Sequence, residues 1–277
     1  MAIASVVEQL LQFPFMRNAF AAGTAVALLA GVIGYFVVLR GETFAGHTLS
    51  LVGFPGAAGA VLFGVPQLLG LAVLCTASAL GIASLGRVAA GDRYGLPAAI
   101  ATIQAFALAL GFLFASLYRG LLTGVNGILF GTFLGITQSQ AAALAVVAVA
   151  GVCAMAVISR PLLFVSVDPE AAASAGVPVR SLSVAFLVLL ALSVAATTLI
   201  TGALLTFALL VMPAAAAQQL VTRPPAAIAL GVAAGLVTVW LSLAVAYFTD
   251  YPISFLVTSI GFGLYLLSRG VRRVRAA

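Results

Sequence analysis

The chain is 277 residues long, 64% hydrophobic and only 6% charged, with a mean hydropathy of +1.27. That excludes a water-soluble domain, which carries about 25% charged residues. Its formal charge of +6 comes from twelve basic residues that are all arginine, so the chain has no Schiff-base lysine and no P-loop lysine of its own.

Apolar runs of about 20 residues, rich in Ala, Leu and Gly, exceed what a barrel strand needs and predict an all-α integral membrane protein, a polytopic helix bundle of about 8–9 spans. The first stretch, Ile3 to Phe15, is interrupted by Glu8, Gln9, Gln12 and Pro14 and reads as an interfacial helix. Spans follow near 17–39, 50–64, 67–86, 97–117, 139–158, 182–201, 203–219, 226–248 and 252–268. Alternation with the C-terminus inside puts Arg40, Arg87, Arg93, Arg160, Arg180, Arg223 and the C-terminal Arg269, Arg272, Arg273 and Arg275 on the cytoplasmic side, leaving Arg17 and Arg119 outside. Arginines scattered in this way mark membrane flanks, so a lipid bilayer is the expected partner and nucleic acid is not.

Two spans carry breakers. The second holds Gly53, Pro55, Gly56 and Gly59, and the seventh holds Met212-Pro213. Both read as discontinuous helices beside a cavity or, on the other view, as ordinary packing positions. Gly127, Gly131 and Gly135, with Gly231 and Gly235, form close-approach faces. Cys75 and Cys153 stand far apart inside apolar runs as small core fillers. Gln104, Asn126, Gln138 and Gln140 can hydrogen-bond across helices, and Tyr35, Trp240, Tyr247 and Tyr251 read as interfacial anchors. Asp92 lies in a basic loop, and Asp250 in a turn as a cap or an external contact.

The segment "SRPLLFVSVDPEAAASAGVPVRS", residues 159 to 181, is longer than a connector requires. Asp168 stands at an N-cap, Pro169 at the first helical position and Glu170 in the first turn; a short helix runs through Ala171 to Ala175, Gly176 supplies the left-handed stop and Pro178 prevents continuation. A capped helix here is either an interfacial connector or a docking element for a cytoplasmic protein.

His47 is the single histidine, close to the start of the second span, with Glu42 before it and Ser50 after it. A neutral imidazole suits zinc, manganese or iron ions; the other reading is a hydrogen-bonded structural histidine.

"FMRNAFAAGTAVALLAGVIGYFVVLRG", "FAGHTLSLVGFPGAAGA", "LFGTFLGIT", "LLFVSVDPEAAASAGVPV" and "GALLTFALLVMPAAAAQQL" together make the chain resemble, over almost its whole length, the membrane permeases of metal-ion ATP-binding-cassette importers, the zinc and manganese branch. The resemblance implies a single permease domain over 1–277 with a type II ABC importer fold in a bacterial cell membrane. It also implies a homodimer, two copies of a separate cytoplasmic ATPase and an extracytoplasmic metal-binding protein. The coupling helix of such proteins maps onto Asp168, Pro169, Glu170, Ala171 and Gly176, with His47 and Ser50 on the transport pathway and His47 as metal ligand. The metal is then cargo and ATP belongs to the partner, so this chain carries no cofactor of its own and is not an enzyme.

Relatives commonly read Gly-Asp-x-Leu-Ser-His in the second span, whereas here His47 stands in place of the acid and Leu51 in place of the histidine. The lost pair keeps a metal chelate such as a siderophore or haem open as cargo. A stand-alone secondary transporter is disfavoured because the predicted spans bury no acid, and a membrane enzyme lacks a catalytic set.

Overall fold

The computed structural model describes residues 12–88, 95–118, 135–249 and 251–276. Among them the chain forms α1 (Pro14–Leu39), α2 (Thr43–Phe63), α3 (Gln67–Val88), α4 (Gly95–Leu117), α5 (Gln138–Val167), α6 (Pro169–Ser174), α7 (Val179–Thr201), α8 (Ala203–Leu220), α9 (Pro224–Phe248) and α10 (Ile253–Ala276). Eight of these are long and apolar enough to cross a membrane; α8 is a shorter apolar helix and α6 a single short turn of helix. Asp92, Arg93, Arg119, Asn126, Gly127, Gly131, Asp250 and the stretch before residue 12 lie outside the described residues.

The helix boundaries match the periodic reading with instructive departures. Helix α2 begins at Thr43 rather than near 50, because the polar and small residues of "TFAGHTLS" lower the local hydropathy without interrupting the helix. His47 and Ser50 therefore sit inside the helix, in its second and third turns. Helix α10 runs on through all four C-terminal arginines, which are good helix formers whose long stems reach water. Helix α5 continues past Arg160 and Pro161 to Val167 and is 30 residues long. At 1.5 Å per residue it measures about 45 Å, roughly 15 Å more than the hydrocarbon thickness of a bilayer.

Neither span with internal proline is broken: α2 is one helix through Pro55, and α8 one helix through Pro213. The backbone turns instead at Gly64 and at Gly202, both with positive φ.

The described residues divide into two compact units, one drawn from Met1–Tyr35, Thr132–Val152 and Ala208–Ala277, the other from Phe36–Gly131 and Cys153–Phe207. In the second unit α2 is the central helix, packed by α3, α4 and α7. Its glycines permit that burial. A Cβ on Gly56 would lie 2.8 Å from the Gly70 carbonyl oxygen and 2.9 Å from Leu71 Cα, so α2 and α3 touch backbone to backbone. Gly53 faces Leu71 and Thr198, Gly59 faces Phe114, and Gly111 of α4 receives the Phe54 ring. Of the two readings of these glycines, close packing is the one seen.

In the first unit Gly34 lies against the Leu210 carbonyl and Ala214, while Gly31 meets the Val232 backbone. Gly231 and Gly235 pack on α8 and α1 respectively. Asn18 donates to the Ile136 carbonyl at 3.1 Å, Gln218 to the Tyr35 carbonyl at 2.7 Å, and the Trp240 indole to Thr24 Oγ1 at 3.0 Å. Tyr35 is thus buried, 5% exposed, and not an interfacial anchor, whereas Trp240 and Tyr251 are exposed. Cys75 is a core residue as read, but Cys153 is exposed. Gln104 does bond across helices; Gln140 instead closes a capping box with Thr137 at the start of α5.

Replacing Gly56 with Val should destabilise the protein by about 1–3 kcal/mol, because the added atoms meet backbone that cannot swing away. Gly263→Ala, where a Cβ meets nothing within 4 Å, should hold or raise stability. Thermal unfolding of the purified protein in detergent compares the two; equal stability would remove the close-packing account of α2.

Candidate functional site

Three polar or exposed features lie in the second unit: the α6 loop, the corner between α1 and α2, and the His47 turn of α2.

The α6 loop has the predicted local grammar. The Asp168 carboxylate accepts from the Ala171 amide at 2.9 Å, Pro169 occupies the first turn, and Glu170 adds an acid beside it. At the other end Gly176 takes φ +81°, the Val177 amide donates to the Ala172 carbonyl and the Gly176 amide to the Ala173 carbonyl, each at 3.0 Å. That pair of bonds is a Schellman stop. Ala172 is fully buried against the protein, while Asp168, Pro169, Glu170, Ala171 and Gly176 are exposed. A helix this short has no stability of its own in water. Its two caps and one buried alanine hold it ready on the surface.

The second feature was not legible as a unit. Arg40, just past α1, donates from Nε to Glu42 Oε1 at 2.9 Å, and the guanidinium closes an ion pair with the same oxygen at 2.9 Å. It also donates to Ser183 Oγ at 3.0 Å and Ser166 Oγ at 3.4 Å, with its carbon 5.4 Å from the Phe186 ring centroid. Each serine hydroxyl donates back to its own helix, Ser166 to Leu162 and Ser183 to Val179, leaving lone pairs to receive the arginine. Ser166 ends α5 and Ser183 opens α7, the two shoulders of α6. One guanidinium therefore joins both shoulders of the α6 loop to the N-cap residue of the helix that carries His47.

Glu42 keeps one oxygen, Oε2, buried and without a hydrogen-bond partner. Its carboxyl is raised above its ordinary range, because the burial that disfavours the charged form outweighs the attraction and hydrogen bond of Arg40.

The His47 turn is the third feature. The imidazole packs edge-on against the Phe207 ring with centroids 4.6 Å apart, and its Nδ1 is buried without a hydrogen-bond partner. Next to it in sequence, Thr48 donates to Gln104 Oε1 at 2.8 Å. Ser50 is fully buried and donates to the Gly46 carbonyl at 3.0 Å, so its proton is spent within α2. Thr198 of α7, which nothing in the sequence singled out, is fully buried with Oγ1 unpartnered and lies against Gly53 of α2. Among the described residues no three His, Cys, Asp or Glu side chains gather in one place. The arrangement offers single, spaced donors rather than a chelating cage of about four ligands.

Eight helices of membrane-spanning length and composition among the described residues define a polytopic membrane protein. The chain belongs to the ABC 3 transport family, which it matches over residues 12–271. It is 30% identical over 233 residues to the manganese transport system membrane protein MntC of Halalkalibacterium halodurans, covering 83% of this chain and 78% of that protein. It is 30% identical to the manganese import system permease protein ScaB of Streptococcus parasanguinis, covering 78% and 75%. Among solved structures it resembles PsaBC from Streptococcus pneumoniae in complex with Fab, with a TM-score of 0.84 and 26% identity over 96% of this chain and 95% of that one. An inward-facing ABC transporter described as of the metal-chelate type shares the fold at a TM-score of 0.68 and 21% identity, over 97% and 88% of the two chains. The protein is a multi-pass bacterial membrane protein and a transport subunit of an ABC system.

The raised Glu42 carboxyl has a defined consequence for stability. The folded state holds this proton to higher pH than the unfolded chain, so stability falls as pH rises above the ordinary value of 4.5 through the raised one. Glu42→Gln lacks that slope. Thermal unfolding of both proteins across this range should show the wild type losing ground to the variant as pH rises; parallel curves would refute the assignment.

Proposed function

We propose that this chain forms the translocation pathway of an importer for manganous or ferrous ion, and that a separate ATPase docks on α6. The observation that carries the docking half is the exposed, doubly capped α6 on a chain of the ABC 3 transport family. A preformed helix loses little entropy on binding, which suits an element that must be gripped in every cycle. The ion follows from the relatives, named for manganese in MntC and ScaB, and for iron in a Haemophilus influenzae protein 23% identical over 267 residues. Donor chemistry supports this choice over zinc: a single imidazole, with no cluster of His, Cys, Asp or Glu among the described residues, lacks the several nitrogen and sulfur ligands from which protein zinc sites are built.

The working cycle needs no chemistry from this chain. The ATPase, closing on ATP, biases α6 between two positions, and the Arg40 network transmits the bias to the start of α2, where His47 meets the ion. Two copies of the chain, an ATPase on each and an external metal-binding protein make up the assembly.

His47→Ala should lower uptake of radioactive manganese into proteoliposomes containing the chain and its ATPase by roughly tenfold or more, the loss expected even when an outer-shell metal partner is removed. Assembly with the ATPase should be unchanged. Full uptake by the variant would make His47 a packing residue, and uptake only of a chelated metal by the wild type would replace the free ion as cargo.

Glu170→Arg reverses the exposed charge on α6, where surface substitutions shift stability by about 0.5 kcal/mol or less. The variant should fold and insert, yet lose ATP-driven uptake in the same vesicles. Uptake at the wild-type rate would sink the docking claim.

A further inference from the structure

The first unit holds a charged concavity that the transport cycle does not use. It has a volume of about 450 Å³ and is lined by Gln219 from the end of α8 and by Tyr265, Arg269, Arg272 and Arg273 of α10. On α10 these four positions are spaced i, i+4, i+7 and i+8, which places them on one face of the helix. Three guanidiniums thus converge on one hollow, and no described acid forms an ion pair with any of them; the ion pair present among the described residues is that of Arg40 and Glu42. Like charges brought together in this way repel unless an anion sits between them.

A single charged residue at a membrane flank needs no further explanation, but this hollow has three properties that a flank does not require. It is concave, its volume falls in the range of small-ligand sites of about 300–1,000 Å³, and a second helix contributes a neutral amide to its wall. The chemistry also changes in order along α10. Phe262, one turn before Tyr265, is 53% exposed, and Leu266 and Leu267 are 48% and 67% exposed. The phenol of Tyr265 lies within this apolar band and the three guanidiniums follow it, Tyr265 to Arg273 covering a rise of about 12 Å. An apolar band that carries one phenol and is followed by cations matches the acyl chains and glycerol ester of a lipid followed by its phosphodiester.

We propose that this hollow binds the phosphodiester headgroup of an anionic phospholipid, with Arg269, Arg272 and Arg273 holding the phosphate, Tyr265 and Gln219 donating to its oxygens, and the acyl chains lying on Phe262 and Leu266. Basic pockets between membrane helices favour anionic headgroups. Planar guanidiniums hold phosphate oxygens through paired N–H donors, which suits the three arginines of this hollow. The site is independent of the cargo and of the α6 docking surface, and it would tie α8 to α10 through a lipid.

Native mass spectrometry of the detergent-purified full chain tests this. The protein is equilibrated with an equimolar mixture of phosphatidylglycerol and phosphatidylcholine, with and without excess inorganic phosphate. The wild type should retain phosphatidylglycerol in preference, and the preference should persist in phosphate. The triple variant Arg269→Gln, Arg272→Gln, Arg273→Gln should lose the preference roughly tenfold or more. The triple Arg→Lys variant, which keeps charge without the planar fork, should fall between the two and guards against a folding defect, as does an unchanged thermal transition. Equal retention of both lipids by the wild type, or an undiminished preference in the glutamine variant, would overturn the proposal. So would loss of the preference in free phosphate. If the glutamine variant keeps its lipid preference but no longer co-purifies with the ATPase, the basic face serves that protein instead.

Discussion

The ion pair of Arg40 and Glu42 constrains most of what surrounds it. Burying two charges costs several kcal/mol each, and the cost is offset only where geometry is good and the remaining polar atoms are satisfied. Here the guanidinium meets a carboxylate, two serine hydroxyls and an aromatic face, and its side chain is 10% exposed. Those partners come from the α1–α2 corner, α5 and α7, so the arrangement holds only when all three are in register. Glu42 is the less satisfied member, with one oxygen unpartnered. A pair stabilised chiefly from the arginine side is well suited to holding a corner while tolerating a change of protonation or position at the acid.

The α6 loop hangs between the two serines that receive Arg40. A rigid shift of α6 must therefore either carry Arg40 and Glu42 along or break hydrogen bonds to a buried cation. The second course leaves donors unsatisfied in a poorly solvated place, at a cost of about 1–3 kcal/mol for each group. Motion with the corner is the cheaper course. On the proposed reading, that is how a push on a surface helix reaches α2. The backbone contact of α2 with α3 at Gly56 and Gly70 then makes the two helices move together, since close-packed backbones have no side-chain cushion between them.

The membrane class, the presence of the spans and the α6 caps were legible because each rests on local rules: twenty apolar residues, an aspartate before a proline, a glycine at a left-handed stop. The continuity of α2 was not. Hydropathy sees "TFAGHTLS" as a weak beginning and Pro55 as a break, but burial on every side lets a helix keep threonine, histidine and proline that a lipid-exposed one would not. Arg40 and Glu42 could be read singly, as a flank arginine and a nearby acid. Their partners Ser166 and Ser183 are more than 120 residues away along the chain, and no local pattern announces them. Thr198 is silent for the same reason, since its significance is a missing partner, which only the packed structure reveals.

The sparse donor set at His47 bears on how such a pathway selects its ion. A cage of four good ligands would hold a divalent metal tightly, but a conduit turns over only as fast as it releases, so affinity gained at the midpoint is paid back at the exit. On the proposed reading, one imidazole against an aromatic wall, with the hydroxyls of Thr48 and Ser50 in α2 and Thr198 in α7, gives the ion a few weak partners and leaves it partly hydrated. Such a path discriminates poorly between ions of similar size and charge. On that same reading, selection takes place before the ion reaches His47, where an external binding protein hands it over, and the ATPase supplies direction. The chain's part in this proposal is to open and close a route whose own chemistry is slight.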